Sequence, residues 1–341
     1  MHGITQPRKT PTFSQASLSI KTKKRTQFVL SLPSEILSLI PNPQQPMSKK
    51  HPSLKRYSLF PLLGIFLTTI TFCASAKPDT SANRNAEQLK ELEHVVYKKV
   101  GDRELLAFMI KPKGWKATDR RPAIVLFHGG GWVSGTPAVL IAQARYFASL
   151  GMVAILPQYR LIKGAKATPA VCIEDANSAM RWVKKQADTL GIDVKRLAAG
   201  GGSAGGHIAA FAGMARGHDA ATDDLSISPR PEALILWNPV YDNGPGEYGH
   251  QRVGEKFRDF SPAHQISKDD PPALVMLGTK DPLISVKTAE RFRDEMKKVE
   301  VRCDTLLYED QVHGFFNKEP WLGRTNAECG KFIKSLGWLK K

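Results

Sequence analysis

Several things are scarce in this chain of 341 residues, and each scarcity narrows what it does. Cysteine is one: of four, Cys73 lies in a terminal segment and only Cys172, Cys303 and Cys329 follow it, too few for a disulfide scaffold. One pairing among the three would leave one thiol over. No set of Cys and His residues has metal-ligand spacing, so no metal is expected. No Gly-Lys-Ser/Thr occurs, which excludes a phosphate-cradling P-loop. The apolar run Ser58–Phe72 falls short of the roughly 20 residues that a spanning helix needs, so no stable membrane anchor is expected. Acidic residues are nearly missing from the first 76 positions, where Glu35 alone faces ten Lys or Arg, so +9 of the net charge of +17 sits there. That placement argues against a nucleic-acid surface on the rest of the molecule. A composition of 42% hydrophobic and 24% charged residues, with 27 Gly and 23 Pro, excludes a coiled coil, a collagen-like rod and a wholly disordered chain.

The amino-terminal segment reads as an address. From Met47 a basic stretch, the run Ser58–Phe72 and Cys73-Ala74-Ser75-Ala76 make a secretory signal, residues 47–76, with cleavage expected after Ala76 and a secreted or periplasmic product. Residues 1–46 are basic and contain Ser and Pro. The favoured account is that translation begins at Met47, with an organellar transit-like leader as the alternative. Bulky Phe72 argues against lipidation at Cys73.

Residues 77–341 are expected to form one catalytic-size domain. His94–Val100 and Glu104–Ile110 flank Gly101-Asp102 and predict a hairpin. Apolar runs of buried-strand type follow at Pro122–Phe127, Met152–Leu156, Arg196–Ala199, Ala233–Trp237, Ala273–Leu277 and Arg302–Tyr308. Helix-period stretches alternate with them at Ala138–Leu150, Ala170–Leu190, Ala204–Ala215, Val286–Val299 and Asn317–Leu339. The alternation predicts an α/β fold, a mostly parallel central sheet with helices on both faces. Residues 241–272 break the pattern and predict a small cap or lid insertion, with a long surface loop as the plainer alternative.

Three short stretches carry chemistry. Gly201-Gly202-Ser203-Ala204-Gly205 follows a strand and opens a helix, the context of a nucleophile elbow, in which small neighbours let the serine occupy a sharp turn. A serine hydroxyl is a poor nucleophile until a base takes its proton. Asp281 and His313 each follow a later strand at the sheet edge where ligands gather, so the order Ser203, Asp281, His313 assigns nucleophile, orienting acid and base. His128-Gly129-Gly130-Gly131 follows the strand ending at Phe127, and glycines there let backbone N–H groups converge on a developing oxyanion. Gly130, Gly131 and Ala204 are assigned as its donors. Trp132 either walls the acyl pocket or packs in the core. His128 is expected to orient the loop, and His207 to be structural. Gly200-x-Gly202-x-x-Gly205 also spells a dinucleotide fingerprint, but it does not sit in the first βα unit, and Asp219, Asp223 and Asp224 downstream are not at a strand end.

These motifs resemble the HGGG-bearing branch of the α/β-hydrolase superfamily, the hormone-sensitive-lipase-like and feruloyl-esterase-like carboxylesterases, over about residues 95–340. Gln158-Tyr159-Arg160-Leu161 takes the place of the Asp-Tyr-Arg-Leu of similar proteins, and Ile284-Ser285 follow Asp281-Pro282-Leu283 where an acid often stands. The resemblance implies hydrolysis of small-molecule or polysaccharide carboxylic esters through an acyl-serine, without a cofactor. It also implies acetyl or feruloyl esters of carbohydrate as substrates, since secreted bacterial relatives often act on them. An amidase or exopeptidase on the same scaffold, or a non-catalytic binding protein, are the alternatives.

Overall fold

The computed structural model describes residues 87–164 and 167–339. The expected leader and signal segment, residues 1–76, lies outside them. Eight strands form a single sheet: β1 (Glu93–Val100), β2 (Arg103–Ile110), β3 (Arg121–Phe127), β4 (Val153–Pro157), β5 (Ile192–Gly202), β6 (Ala233–Trp237), β7 (Ala273–Gly278) and β8 (Cys303–Tyr308). Their spatial order is β1-β2-β4-β3-β5-β6-β7-β8. The hairpin β1–β2 and the β2–β4 pair are antiparallel, and every other pair is parallel.

The central strands read as unbroken apolar runs because both their faces are covered. Ala123, Val125 and Phe127 of β3 point into one core, together with Ala176 and Ile208. Ile124 and Leu126 point into the other, with Phe147 and Phe332. The first face carries α2 (Ala170–Lys185), α3 (Ala204–Met214) and α4 (Val286–Lys298). The second carries α1 (Ile141–Ser149) and α5 (Trp321–Ser335). The helix expected at Ala138–Leu150 begins as a 3-10 turn at Pro137–Leu140, and that expected at Ala170–Leu190 breaks at Gln186, with a separate turn at Ala187–Leu190. The expected helix Asn317–Leu339 is confined to α5, because Pro320 lacks an N–H and begins it late.

Residues 241–272 are not a plain surface loop. They fold into short turns, His250–Val253, Phe257–Phe260 and Pro262–His264, held over the carboxyl ends of the strands by polar contacts. Asp242, buried, accepts from Arg291 of α4 at 2.5 Å and contacts His264 Nε2 at 3.1 Å. Glu247 accepts from Thr288 of α4 at 2.9 Å. The cysteines Cys172, Cys303 and Cys329 are all free.

The tightest constraint lies where α3 crosses the end of β3. A Cβ on Gly205 would stand 2.0 Å from the Phe127 carbonyl oxygen and 2.5 Å from that of His128. Overpacking typically costs about 1–3 kcal/mol, and here the obstacle is backbone. Gly205→Ala is therefore expected to lower stability by at least about 2 kcal/mol in urea titration. A variant as stable as the parent would mean that helix and strand separate without cost.

Candidate active site

β5 runs straight into α3, and the junction is residue 203. Ser203 has φ 55° and ψ −122°, a conformation most side chains avoid. Its backbone is clamped there: its N–H donates to the Trp237 carbonyl at 3.0 Å, and its own carbonyl accepts from His207 at 3.0 Å and Val240 at 3.2 Å. Gly202 lies so close to Phe316 that a Cβ would come within 2.4 Å of the ring. The side chain of Ser203 enters a cavity of about 350 Å³ whose lining includes Gly130, Gly131, Asn238, Tyr248, His313 and Phe316.

His313 and Asp281 come together. His313 Nδ1 lies 2.7 Å from Asp281 Oδ2, and Asp281 is buried. The other oxygen, Oδ1, accepts the N–H groups of Leu283 at 2.8 Å and Ile284 at 3.0 Å, so the turn Asp281–Ile284 fixes the plane of the carboxylate. Ser285, in place of an acid, caps α4 by accepting from the Thr288 N–H at 3.1 Å. Ser203, Asp281 and His313 thus meet at one end of the sheet, Ser203 and His313 in the same cavity wall.

The loop after β3 is built from glycine because no side chain fits its turn. Gly130 has φ 120°, and a Cβ there would fall 2.1 Å from the Ser134 carbonyl oxygen. Its carbonyl accepts from Val133 at 3.1 Å and Ser134 at 3.0 Å, which closes the loop on itself. Ala204 is the first residue of α3, whose N–H has no acceptor within the helix. Two buried histidines hold this region from behind. The His128 ring stacks on Tyr159 with centroids 4.3 Å apart, and the Tyr159 hydroxyl donates to the His128 carbonyl at 2.7 Å. Tyr159 is itself anchored through Arg160, whose Nε donates to buried Asp175 at 2.8 Å. Gln158, the departure from the acid, accepts the Leu106 N–H at 3.2 Å through its side chain. That bond extends the β2–β4 pairing and needs no charge.

Trp132 does not line the cavity. Its φ of 65° turns the indole inward, where it is fully buried and donates from Nε1 to His207 Nδ1 at 3.1 Å. His207 in turn donates from Nε2 to the Phe260 carbonyl at 2.7 Å. Of the two placements open for Trp132 in the sequence, it takes the core, and the pocket wall is Tyr248. This residue of the insertion packs on the indole at 5.7 Å and sits over Gly131. Tyr248 and Asn238 carry no motif of their own, and only the unusual length of the insertion pointed towards Tyr248.

Burial holds both histidines neutral, lowering each from the ordinary value of 6.5 to about 4. The folded state then binds fewer protons than the unfolded chain between about pH 6.5 and 4, so stability falls as pH falls through that window. Urea unfolding at about pH 4.5 should show a loss of about 2–3 kcal/mol per histidine relative to about pH 7. A flat profile across the window would mean that neither ring is held neutral.

Known proteins carry the same architecture. A family model described as BD-FAE matches residues 110–233. Esterase LipC of Mycobacterium tuberculosis is 27% identical over 206 residues, covering 53% of this chain and 50% of LipC. Carboxylesterase NlhH of the same organism is 37% identical over 92 residues, covering 27% of this chain and 28% of NlhH. The chain thus spans half or less of the length of these curated relatives. Among solved structures, the apo form of Thermogutta terrifontis esterase 2 superposes with a TM-score of 0.70 at 38% identity, over 74% of this chain and 97% of that one. Likeness of that extent over nearly a whole solved enzyme is shared descent, and the chain belongs to the carboxylesterases of the α/β-hydrolase fold.

Proposed function

We propose that the protein hydrolyses carboxylic esters through an acyl-enzyme on Ser203, with His313 as base and acid, and that its substrates are esters of short acyl groups, carbohydrate acetates foremost. The observation that carries the reading is the 2.7 Å contact between His313 Nδ1 and Asp281 at the mouth of the cavity that Ser203 enters. With its Nδ1 proton donated to Asp281, the imidazole keeps Nε2 free to accept a proton.

The steps follow from that tautomer. Nε2 takes the Ser203 hydroxyl proton as Oγ bonds to the ester carbonyl carbon, and the carbonyl π electrons move onto oxygen. The backbone N–H groups of Gly130, Gly131 and Ala204 receive that oxyanion, and losing one such donor typically costs about 2.7–4 kcal/mol of barrier. As the tetrahedral centre collapses, the C–O bond to the alcohol breaks and the departing oxygen takes the proton from Nε2. A water then gives a proton to Nε2 and attacks the acyl carbon. The second collapse returns the proton to Ser203 Oγ and releases the carboxylic acid.

The cavity walls support a short acyl group. Val139, Leu140, Leu283 and Phe316 are apolar, and the lining includes no Asp, Glu, Lys or Arg. The Thermogutta enzyme has been solved with propionate and with butyrate bound, acids of three and four carbons. A carbohydrate alcohol is supported by the 25% identity over 154 residues to endo-1,4-beta-xylanase B of Butyrivibrio fibrisolvens, which spans 24% of that protein. The basic and apolar signal-like segment at residues 47–76 supports export, to the periplasm or beyond.

The test uses p-nitrophenyl esters from acetate to laurate beside acetylated xylan and methyl ferulate. Hydrolysis should be fastest for acyl groups of two to four carbons, and acetate release from xylan should accompany it. Stoichiometric loss of activity to paraoxon should occur in the parent and phosphorylation should be absent from Ser203→Ala. Asp281→Asn should cut kcat by up to about 10⁴. A parent chain inert to every ester and to paraoxon would defeat the reading, while preference for the ferulate would move the substrate to aromatic acids.

A further inference from the structure

Resting on that reading of His313 as the base, we propose that Asn238 is a positioning residue: by a fixed amide orientation it holds Nε2 of His313 as a proton acceptor and opposes its protonated form. Asn238 is the first residue after β6, fully buried, and it lines the same cavity as Ser203 and His313. Its Oδ1 accepts the backbone N–H of Gly314 at 3.0 Å. A backbone N–H only donates, so this bond settles which way the amide faces. The NH₂ group is therefore the end turned to His313, and Nδ2 stands 3.5 Å from Nε2, a long hydrogen bond.

The consequence for the ring follows from donors and acceptors alone. An N–H aimed at Nε2 is satisfied only when Nε2 carries a lone pair, which places the single proton of the neutral ring on Nδ1, where Asp281 accepts it. Asp281 by itself leaves two forms open, since its carboxylate is also well served by a doubly protonated ring. Asn238 separates them: once Nε2 is protonated, N–H faces N–H. In the catalytic cycle that opposition drives the proton onward to the departing alcohol. The backbone agrees with the choice of residue, because Asn238 has φ 34°, and asparagine tolerates the left-handed region better than most side chains. Its own N–H is fixed to the Met276 carbonyl at 2.7 Å, so the side chain swings from a rigid point.

The titratable and charged groups around the ring are few. Asp281 comes from the turn after β7, Ser203 from the elbow and Tyr248 from the insertion. On His313's own loop, Asp310 pairs with Lys280 at 2.8 Å in solvent. A charge placed at residue 238 would thus face Nε2 with little competition.

Two variants separate the role from simple packing. Asn238→Asp keeps an acceptor for Gly314 and tolerates the backbone, but turns a carboxylate oxygen to Nε2. Asn238→Gly keeps the backbone free and removes the side chain. In Asn238→Asp the acid limb of kcat/KM for p-nitrophenyl acetate should move up by at least one pH unit. Asn238→Gly should lower kcat about tenfold with KM within twofold. Nitrogen-15 NMR of the histidine side chains at pH 8 should find His313 with its proton on Nδ1 in the parent, and a mixture of tautomers in Asn238→Gly. An unmoved acid limb in Asn238→Asp, or an unchanged tautomer in Asn238→Gly, overturns the proposal even if the parent is a fully active esterase. A parent that neither hydrolyses esters nor reacts with paraoxon overturns the esterase reading instead. The NMR result still decides the tautomer, because it needs no turnover.

Discussion

The strained backbone at residue 203 is the constraint on which the rest of the site depends. A serine at φ 55° and ψ −122° persists only where its neighbours over-determine it. Here three backbone hydrogen bonds and three glycines do so. The Ser203 N–H is held by β6, its carbonyl by α3 and the residue after Asn238-Pro239, and Gly201, Gly202 and Gly205 admit Phe127, Phe316 and the end of β3 at distances that no Cβ would survive. The same crossing that bends the chain at Ser203 also fixes the end of β3, from which the His128–Gly131 loop springs. Elbow and loop are therefore one mechanical unit: a shift in α3 relative to β3 moves hydroxyl and backbone amides together, and their mutual geometry is set before any substrate arrives.

Around that unit the polar groups form a shell of neutral or fully paired partners. Trp132 donates to His207 and His207 to Phe260, so one buried imidazole ties the loop after β3, the elbow helix and the insertion together. Its neutrality matters, since only the neutral ring offers one acceptor and one donor. On the other flank Arg160, Lys98 and Asp175 pair within the first core, and their contacts hold Tyr159 against His128. Breaking such a pair strands a buried charge, which is why ions this deep occur as a network.

The sequence made the sheet legible because strands covered on both faces read as unbroken apolar runs, and the alternation with amphipathic helices left little freedom of topology. The elbow was legible for a different reason: only a run of small residues fits between crossing backbones, so Gly201 to Gly206 is a steric record. Asp281 and His313 were legible by their order after strands. What stayed hidden was set by contacts between distant segments. Trp132 faces the core because of a positive φ that its own side chain does not encode. The insertion lacks periodicity because it is held by individual polar contacts, Asp242 and Glu247 to α4 and Ser261 to Asn243 and Phe257 within the segment. The break of the second helix at Gln186 and the late start of the last at Pro320 are local backbone events, which periodicity does not report.

Under the proposed mechanism, the insertion and the loops that carry Ser203, Asp281 and His313 divide the work between specificity and chemistry. Asp281 and His313 follow β7 and β8, and Asn238 follows β6, strands whose registers are fixed by parallel pairing. Tyr248, by contrast, comes from a segment that contains no strand and stays over Gly131 through its packing on Trp132 and the Glu247 contact beside it. Under the proposed mechanism, changes within residues 241–272 that spare Asp242 and His207's bond to Phe260 reshape the cavity wall and leave the contact between Asp281 and His313 in place. A scaffold arranged this way accommodates new esters by rewriting one segment, because the groups proposed to handle the proton are anchored in another.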